Sequence, residues 1–239
     1  MARRKVVFVI VEGPSDDTAL GVILERLYGK NQVHVEIIHG DITSDLHTTP
    51  GNITKKLGNL VRNFASSMHF DKKDFQQVIH IVDMDGAYIP EKAVIENEEA
   101  AKPLYSLTGI QTVRPAGIVQ RNQRKQSVLD RISGLKKVWT SIPYAVYYMS
   151  CNLDHVLYNK LNSTDDEKEE DALRFARKYK DDLEGFLSFI SDSDFARMEG
   201  YSESWEFVKK DLNSLGRFSN LGLCFVEIRS ERYEQSSDT

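Results

Sequence analysis

The chain has 239 residues, with 36 Asp+Glu against 31 Lys+Arg for a formal charge of −5, and 41% of its residues are apolar. That apolar fraction excludes a disordered chain, and two cysteines, Cys151 and Cys224, exclude a disulfide-stapled scaffold. No apolar run approaches the ~18 residues of a membrane span, and the basic start Met1-Ala-Arg-Arg-Lys5 leads into an apolar stretch that stops at Glu12 without a cleavage site, so a soluble, cytoplasmic setting is expected.

Lys5–Val11 is a continuous β-branched and aromatic run, as expected for a strand buried on both faces of a parallel sheet. Gly13 and Pro14 break it, Ser15 is placed to cap a helix, and Asp16 and Asp17 fall in the first turn, where negative charge suits the helix dipole. Ala19, Leu20, Ile23, Leu24 and Leu27 then recur at helical spacing as far as Gly29. Val33–Ile38 alternates as a second strand, and Asn52–Met68 carries Ile53, Leu57, Leu60, Val61 and Phe64 on one helical stripe. A third strand, Val78–Val82, runs into Asp83-Met84-Asp85-Gly86. This alternation predicts an α/β fold with a mainly parallel sheet flanked by helices, in which the first and third strands end on the same ligand-binding edge.

Tyr88 to Gly117, with Pro90, Pro103 and Pro115, has no clean period and reads as irregular or lid-like. Val128–Val138 reads as a helix, Tyr144–Met149 as a strand, and Cys151–Leu161 as the start of a helix. Glu167–Tyr179, Asp182–Ile190 and Ser202–Leu215 read as further helices, Leu221–Ile228 as a last strand or extended tail, and Tyr233–Thr239 as frayed. The expected partition is a core over residues 1–150 with a basic insertion at about 88–138, then a mainly helical region over 151–239.

Carboxylates that end apolar strands are costly unless a cation balances them. Glu12 ends the first strand, and Asp83 and Asp85 end the third, projecting to one side if the chain stays extended. Hard carboxylate oxygens at a sheet edge suit Mg²⁺ or Mn²⁺, and the six scattered histidines give no zinc pattern.

Val9-Ile-Val-Glu-Gly-Pro-Ser-Asp16 followed by His80-Ile-Val-Asp-Met-Asp85 resembles the Toprim domain shared by topoisomerases, bacterial primases, recombination-repair proteins and overcoming-lysogenization-defect-type nucleases. The resemblance covers roughly Lys5 to Gly86. It implies a Toprim-like, Rossmann-like fold, with Glu12 as acid/base or metal-binding glutamate, Asp83 and Asp85 as the metal-binding pair, and Asp16 as a further acidic residue. Tyr147-Tyr-Met-Ser-Cys-Asn-Leu-Asp154 looks like the strand, Ser-Asn-Pro, acidic residue, helix element of small Toprim nucleases of phage-defence loci. Here Cys-Asn replaces Asn-Pro, and Asp154 is the acidic member. Some proteins of this type act beside an ATPase, so an ATPase partner is an implication of the resemblance.

Seven basic residues and one acid lie between Arg114 and Lys137, in contrast with the acidic whole. Arg114, Arg121, Arg124, Lys125 and Arg131 are candidates for following a phosphate backbone, while a solvated helix face is the plainer use of such a run. Tyr147, Tyr148 and Trp139 are weighed as base-stacking residues, with core packing the better expectation. The leading expectation is a Mg²⁺-dependent nuclease of DNA or RNA acting with an ATPase in defence. The extra domain a topoisomerase needs and the zinc module of a primase are not expected at this length. The alternatives are a non-catalytic Toprim-like subunit that binds metal or phosphate and a partner protein, or an α/β domain whose acids only cap turns. Oligomeric state stays open.

Overall fold

The computed structural model describes residues 4–29, 31–37 and 41–237. Strand β1 (Val6–Val11) is buried along its whole length, so each residue commits to one of two cores. Helix α1 (Pro14–Leu27) starts one residue before Ser15, with Gly13 as its cap and Pro14 at its first position, where the missing amide hydrogen costs nothing. Strand β2 (Gln32–Ile37) pairs in parallel with β1 on one side, and β3 (Phe75–Asp83) does so on the other. Ile38, the last residue of the expected second strand, lies outside the described residues. Helix α2 (Ile53–Ser67) links β2 to β3.

The segment expected to be irregular is instead ordered as a small sheet. Strands β4 (Val94–Glu96), β5 (Leu104–Ser106) and β6 (Gly109–Thr112) form it in the order β4-β6-β5. Strands of three or four residues are too short to show a period beside three prolines. Helix α3 (Pro115–Ser133) begins at Pro115 and ends before Gly134, so it lies largely ahead of the Val128–Val138 helix expected there. Strand β7 (Lys137–Val138) then pairs antiparallel with β8 (Ile142–Met149), which lies parallel to β3. The main sheet has the order β2-β1-β3-β8-β7. It is α/β and mostly parallel, as predicted.

Alternation along β1 divides the packing. Val7, Val9 and Val11 join Leu20, Ile23 and Leu24 of α1. Val6, Phe8 and Ile10 join Ile53, Leu57 and Val61 of α2 and Val128, Leu129 and Ile132 of α3. Fully burying each such side chain is worth about 1.5–3 kcal/mol. Helix α4 (Leu153–Tyr158) follows β8, and α5 (Asp165–Tyr179) and α6 (Leu183–Asp192) place Phe175 and Phe186 in the α1 core. Helix α7 (Tyr201–Val208) places Trp205 and Val208 in the other, and stops well short of Leu215. Tyr147 and Tyr148 are buried in the two cores, and Trp139 packs edge-on against Phe75. None of the three is a free stacking platform.

The expected strand at Leu221–Ile228 is a 3-10 turn (Leu221–Phe225) leading into α8 (Val226–Ser237). Leu221 and Phe225, four residues apart and both buried, present one helical face to the core rather than alternating across a strand. The expected fraying is likewise replaced by helix as far as Ser237, the last two residues lying outside the described ones. Among the described residues no helix is long and apolar enough to cross a membrane.

Candidate functional site

The chain leaves β1 toward β2 on one side and returns to β3 on the other, so the carboxyl ends of β1 and β3 flank the point where the sheet order reverses. Open parallel sheets bind ligands at such points. Glu12 follows β1 directly, and Asp83 is the last residue of β3. The Asp83 amide donates to Glu12 Oε1 at 3.2 Å, tying the two strand ends together.

The extended course expected from Asp83 to Asp85 is absent. The chain turns after Asp83: Asp85 has φ 48° and Gly86 φ 67°, two consecutive left-handed residues. This turn is sewn to neighbouring loops, with the Asp85 amide donating to the Cys151 carbonyl at 2.7 Å and the Gly86 amide to the Ser214 carbonyl at 3.1 Å. Such backbone strain persists only where surroundings fix it, and it clusters at functional sites. Asp83 Oδ1 therefore accepts the Leu153 amide at the start of α4 at 2.9 Å. Asp85 faces α3, where the Lys125 ammonium donates to its Oδ2 at 2.6 Å.

Lys125, expected on a solvated nucleic-acid-binding surface, is fully buried, with 0% of its side chain exposed. Its ammonium also donates to Asp41 Oδ2 at 2.7 Å and lies 4.0 Å from Glu12 Oε1. Each of Glu12, Asp41 and Asp85 offers an oxygen within 4.8 Å of the other two, a set that can hold a metal ion. Asp41, which was not singled out in the sequence, is fixed by the Thr43 amide at 2.7 Å. It lies four residues beyond the end of β2, whereas Glu12 follows β1 directly. Lys125 did leave a signal: Ile118, Lys125, Leu129 and Ile132 recur at helical spacing, which puts the lysine on the buried stripe of α3.

The remaining acids form a second flank. Asp16 Oδ2 accepts the amides of Gly13 and Glu12 at 3.0 and 3.2 Å, so it does cap the first turn. It also lines a cleft of about 280 Å³ with Asp83, Asp85, Asp154, Ser15, Lys102 and Lys168. Asp154 is buried in the first turn of α4, with the Lys168 ammonium 3.8 Å away. Asn152 caps that helix by accepting the His155 amide at 2.9 Å.

Electrostatics divide along the same line. Burial pushes Glu12 well above the usual carboxylate range, opposed by Lys125 and reinforced by Asp41 and Asp85. Asp83 is likewise pushed well up by burial and by Glu12 and Asp16. Burial raises Asp16 to about 6, against the hydrogen bond from Gly13. Asp41 is held well below its ordinary value: burial acts upward, but the Lys125 ammonium and its hydrogen bond outweigh it. One ammonium thus neutralises one end of the cluster and leaves the other short of positive charge.

The other expected basic contacts disperse. Arg121 is half-buried and donates to the Asp85 carbonyl at 2.7 Å, the Tyr105 hydroxyl at 2.7 Å and Asn122 Oδ1 at 2.8 Å. Arg124 is half-buried on the same helix, and only Arg114 and Arg131 of the five are exposed. His155 and Cys151 are buried, with burial and the nearby Arg217 lowering His155 to about 4 and burial raising the Cys151 thiol. Comparison of the chain with protein-family models, curated proteins and solved structures returned no match.

Proposed function

We propose that the chain is a Mg²⁺- or Mn²⁺-dependent phosphodiester hydrolase of the Toprim type, acting on DNA or RNA. The observation that carries the reading is the convergence of Glu12, Asp41 and Asp85 within 4.8 Å at the reversal point of the sheet. The donor set fits a hard divalent cation: all its ligand atoms are carboxylate oxygens, and the elevated Glu12 and Asp83 carboxyls mark a site where further positive charge is stabilising. Glu12, Asp85 and Asp41 or Asp83 would hold the ion, which when bound stabilises charge on the phosphoryl oxygens.

The chain's own residues supply the rest. Glu12 would complete the coordination or, where Asp41 or Asp83 holds the ion in its place, exchange a proton with the attacking water or the leaving oxygen. Lys102 and Lys168 on the cleft wall offer charge to flanking phosphates. Arg121 fixes the Asp85 carbonyl and so the loop that aims its carboxylate. A partner ATPase and a defence role extend the proposal on the resemblance of the two motifs alone.

The test is purified protein incubated with Mg²⁺ or Mn²⁺ and supercoiled DNA, single-stranded DNA and RNA, alone and with any ATPase encoded beside it. Cation-dependent cleavage that Glu12→Gln abolishes is expected. Wild type and variant being equally inert in every combination rejects the nuclease reading.

A further inference from the structure

The cluster already contains a cation. Lys125 lies on one turn of α3 whose neighbours grip the Asp85–Ala87 loop: Arg121 holds the Asp85 carbonyl at 2.7 Å, Asn122 the Gly86 carbonyl at 3.1 Å, and Gln126 the Ala87 carbonyl at 2.6 Å. Helix and loop are thereby held together, and the wholly buried lysine stem delivers its ammonium to the acids. Its ammonium makes close contact with two carboxylates and lies 4.0 Å from the third.

We propose that Lys125 is the resident cation of this site: its ammonium fills the space between Glu12, Asp41 and Asp85, so a divalent ion gains all three ligands only by displacing it, and Lys125 thereby sets how tightly the chain holds metal. The inference rests on the metal-site reading above and concerns its regulation. Three oxygens within 4.8 Å leave room for one cation among them. A hard divalent ion seeks six or more oxygens and strips its water reluctantly, while the ammonium satisfies the acids without that cost. The chain therefore folds with Asp41 and Asp85 in direct contact with a cation before any metal arrives. Metal binding by the three-oxygen set becomes an exchange of cations.

The experiment follows free Mn²⁺ by electron paramagnetic resonance during titration of the full chain, without nucleic acid, for wild type, Lys125→Met, Lys125→Gln and Lys125→Arg. Lys125→Gln keeps hydrogen-bond donors near Asp41 and Asp85, so a folding defect in the methionine variant does not end the test. Both neutral variants are expected to bind Mn²⁺ at least tenfold more tightly than wild type, and Lys125→Arg to remain within a few-fold of it. Neutral variants that bind equally or more weakly overturn the exchange and make Lys125 a support for the metal ligands. Failure of wild type and all variants to bind Mn²⁺ at millimolar concentration overturns the metal reading itself. Cleavage plays no part in the readout, so a chain that binds Mn²⁺ as expected yet cuts nothing leaves this inference standing.

Discussion

Asp83 and Asp85 stand two residues apart and hold different partners: Asp83 Oδ1 accepts the Leu153 amide at 2.9 Å, and Asp85 Oδ2 accepts the Lys125 ammonium at 2.6 Å. Their amide variants should behave differently. Asp83→Asn keeps an oxygen for Leu153 and removes a carboxyl that burial already disfavours as an anion, so stability should change little or rise. Asp85→Asn removes one of the two carboxylates in close contact with the buried Lys125, leaving Asp41 as the close one among the described residues. Breaking a buried pair costs about 3–5 kcal/mol, and the lower end is expected because Asp41 remains. Urea denaturation of the two variants checks the contrast.

Gly86 and Gly13 both follow acids at strand ends, but only one requires glycine. Gly86 has φ 67°, and a Cβ there would lie 2.7 Å from Leu215 Cδ2. The left-handed backbone alone costs alanine about 1–2 kcal/mol, so Gly86→Ala should lose at least that and displace the Asp85 carboxylate. Gly13 is extended, at φ −140°, and a Cβ there would meet nothing nearer than Ser15 Oγ at 3.9 Å. Gly13→Ala should lose no more than about 1 kcal/mol, the preference of a helix N-cap for glycine over alanine, and leave Asp85 in place. Chemical denaturation of both variants measures the difference.

What was legible in the sequence follows from how strongly each element states its period. β1 and β3 are long, apolar and buried, so Glu12 and Asp83 could be placed at their ends from residue order alone. The turn at Asp85 could not, because a left-handed aspartate leaves no mark in composition. Lys125 was counted with its basic neighbours because charge was read along the chain. Read around the helix, it falls on the same stripe as Ile118, Leu129 and Ile132. Asp41 escaped because its role depends on parallel pairing that places the exit of β2 beside that of β1.

His80 gives the fold a pH dependence separate from the cleft. It is fully buried, Nδ1 lies 2.8 Å from the Tyr144 hydroxyl, and Nε2 has no partner among the described residues. Burial lowers it from 6.5 to about 3. Between those values the unfolded chain takes up a proton that the folded chain refuses, so His80 makes stability fall as pH falls through that window. The loss is at most about 1.4 kcal/mol per pH unit. The raised Glu12, Asp16 and Asp83 act in the opposite direction in both proteins. His80→Gln, which keeps a partner for Tyr144, should therefore gain stability relative to wild type as pH falls from 6.5 to 4.5. Urea midpoints measured across that range for both proteins check it.

The basic residues of α3 should separate into two classes when nucleic-acid binding is measured. Arg114 and Arg131 are exposed, so if they follow a phosphate backbone, each glutamine substitution should weaken binding evenly across sequences and reduce the salt dependence by about one phosphate contact. Arg121 holds the Asp85 carbonyl and the Tyr105 hydroxyl. Arg121→Gln should therefore leave the salt slope nearly unchanged while reducing cleavage through misplacement of Asp85. Fluorescence anisotropy against a labelled oligonucleotide at several salt concentrations, with Ca²⁺ in place of Mg²⁺ to suppress cleavage, separates them. A slope change for Arg121→Gln equal to that for Arg114→Gln would mean that Arg121 meets phosphate directly, and its bond to the Asp85 carbonyl would then not be what cleavage depends on.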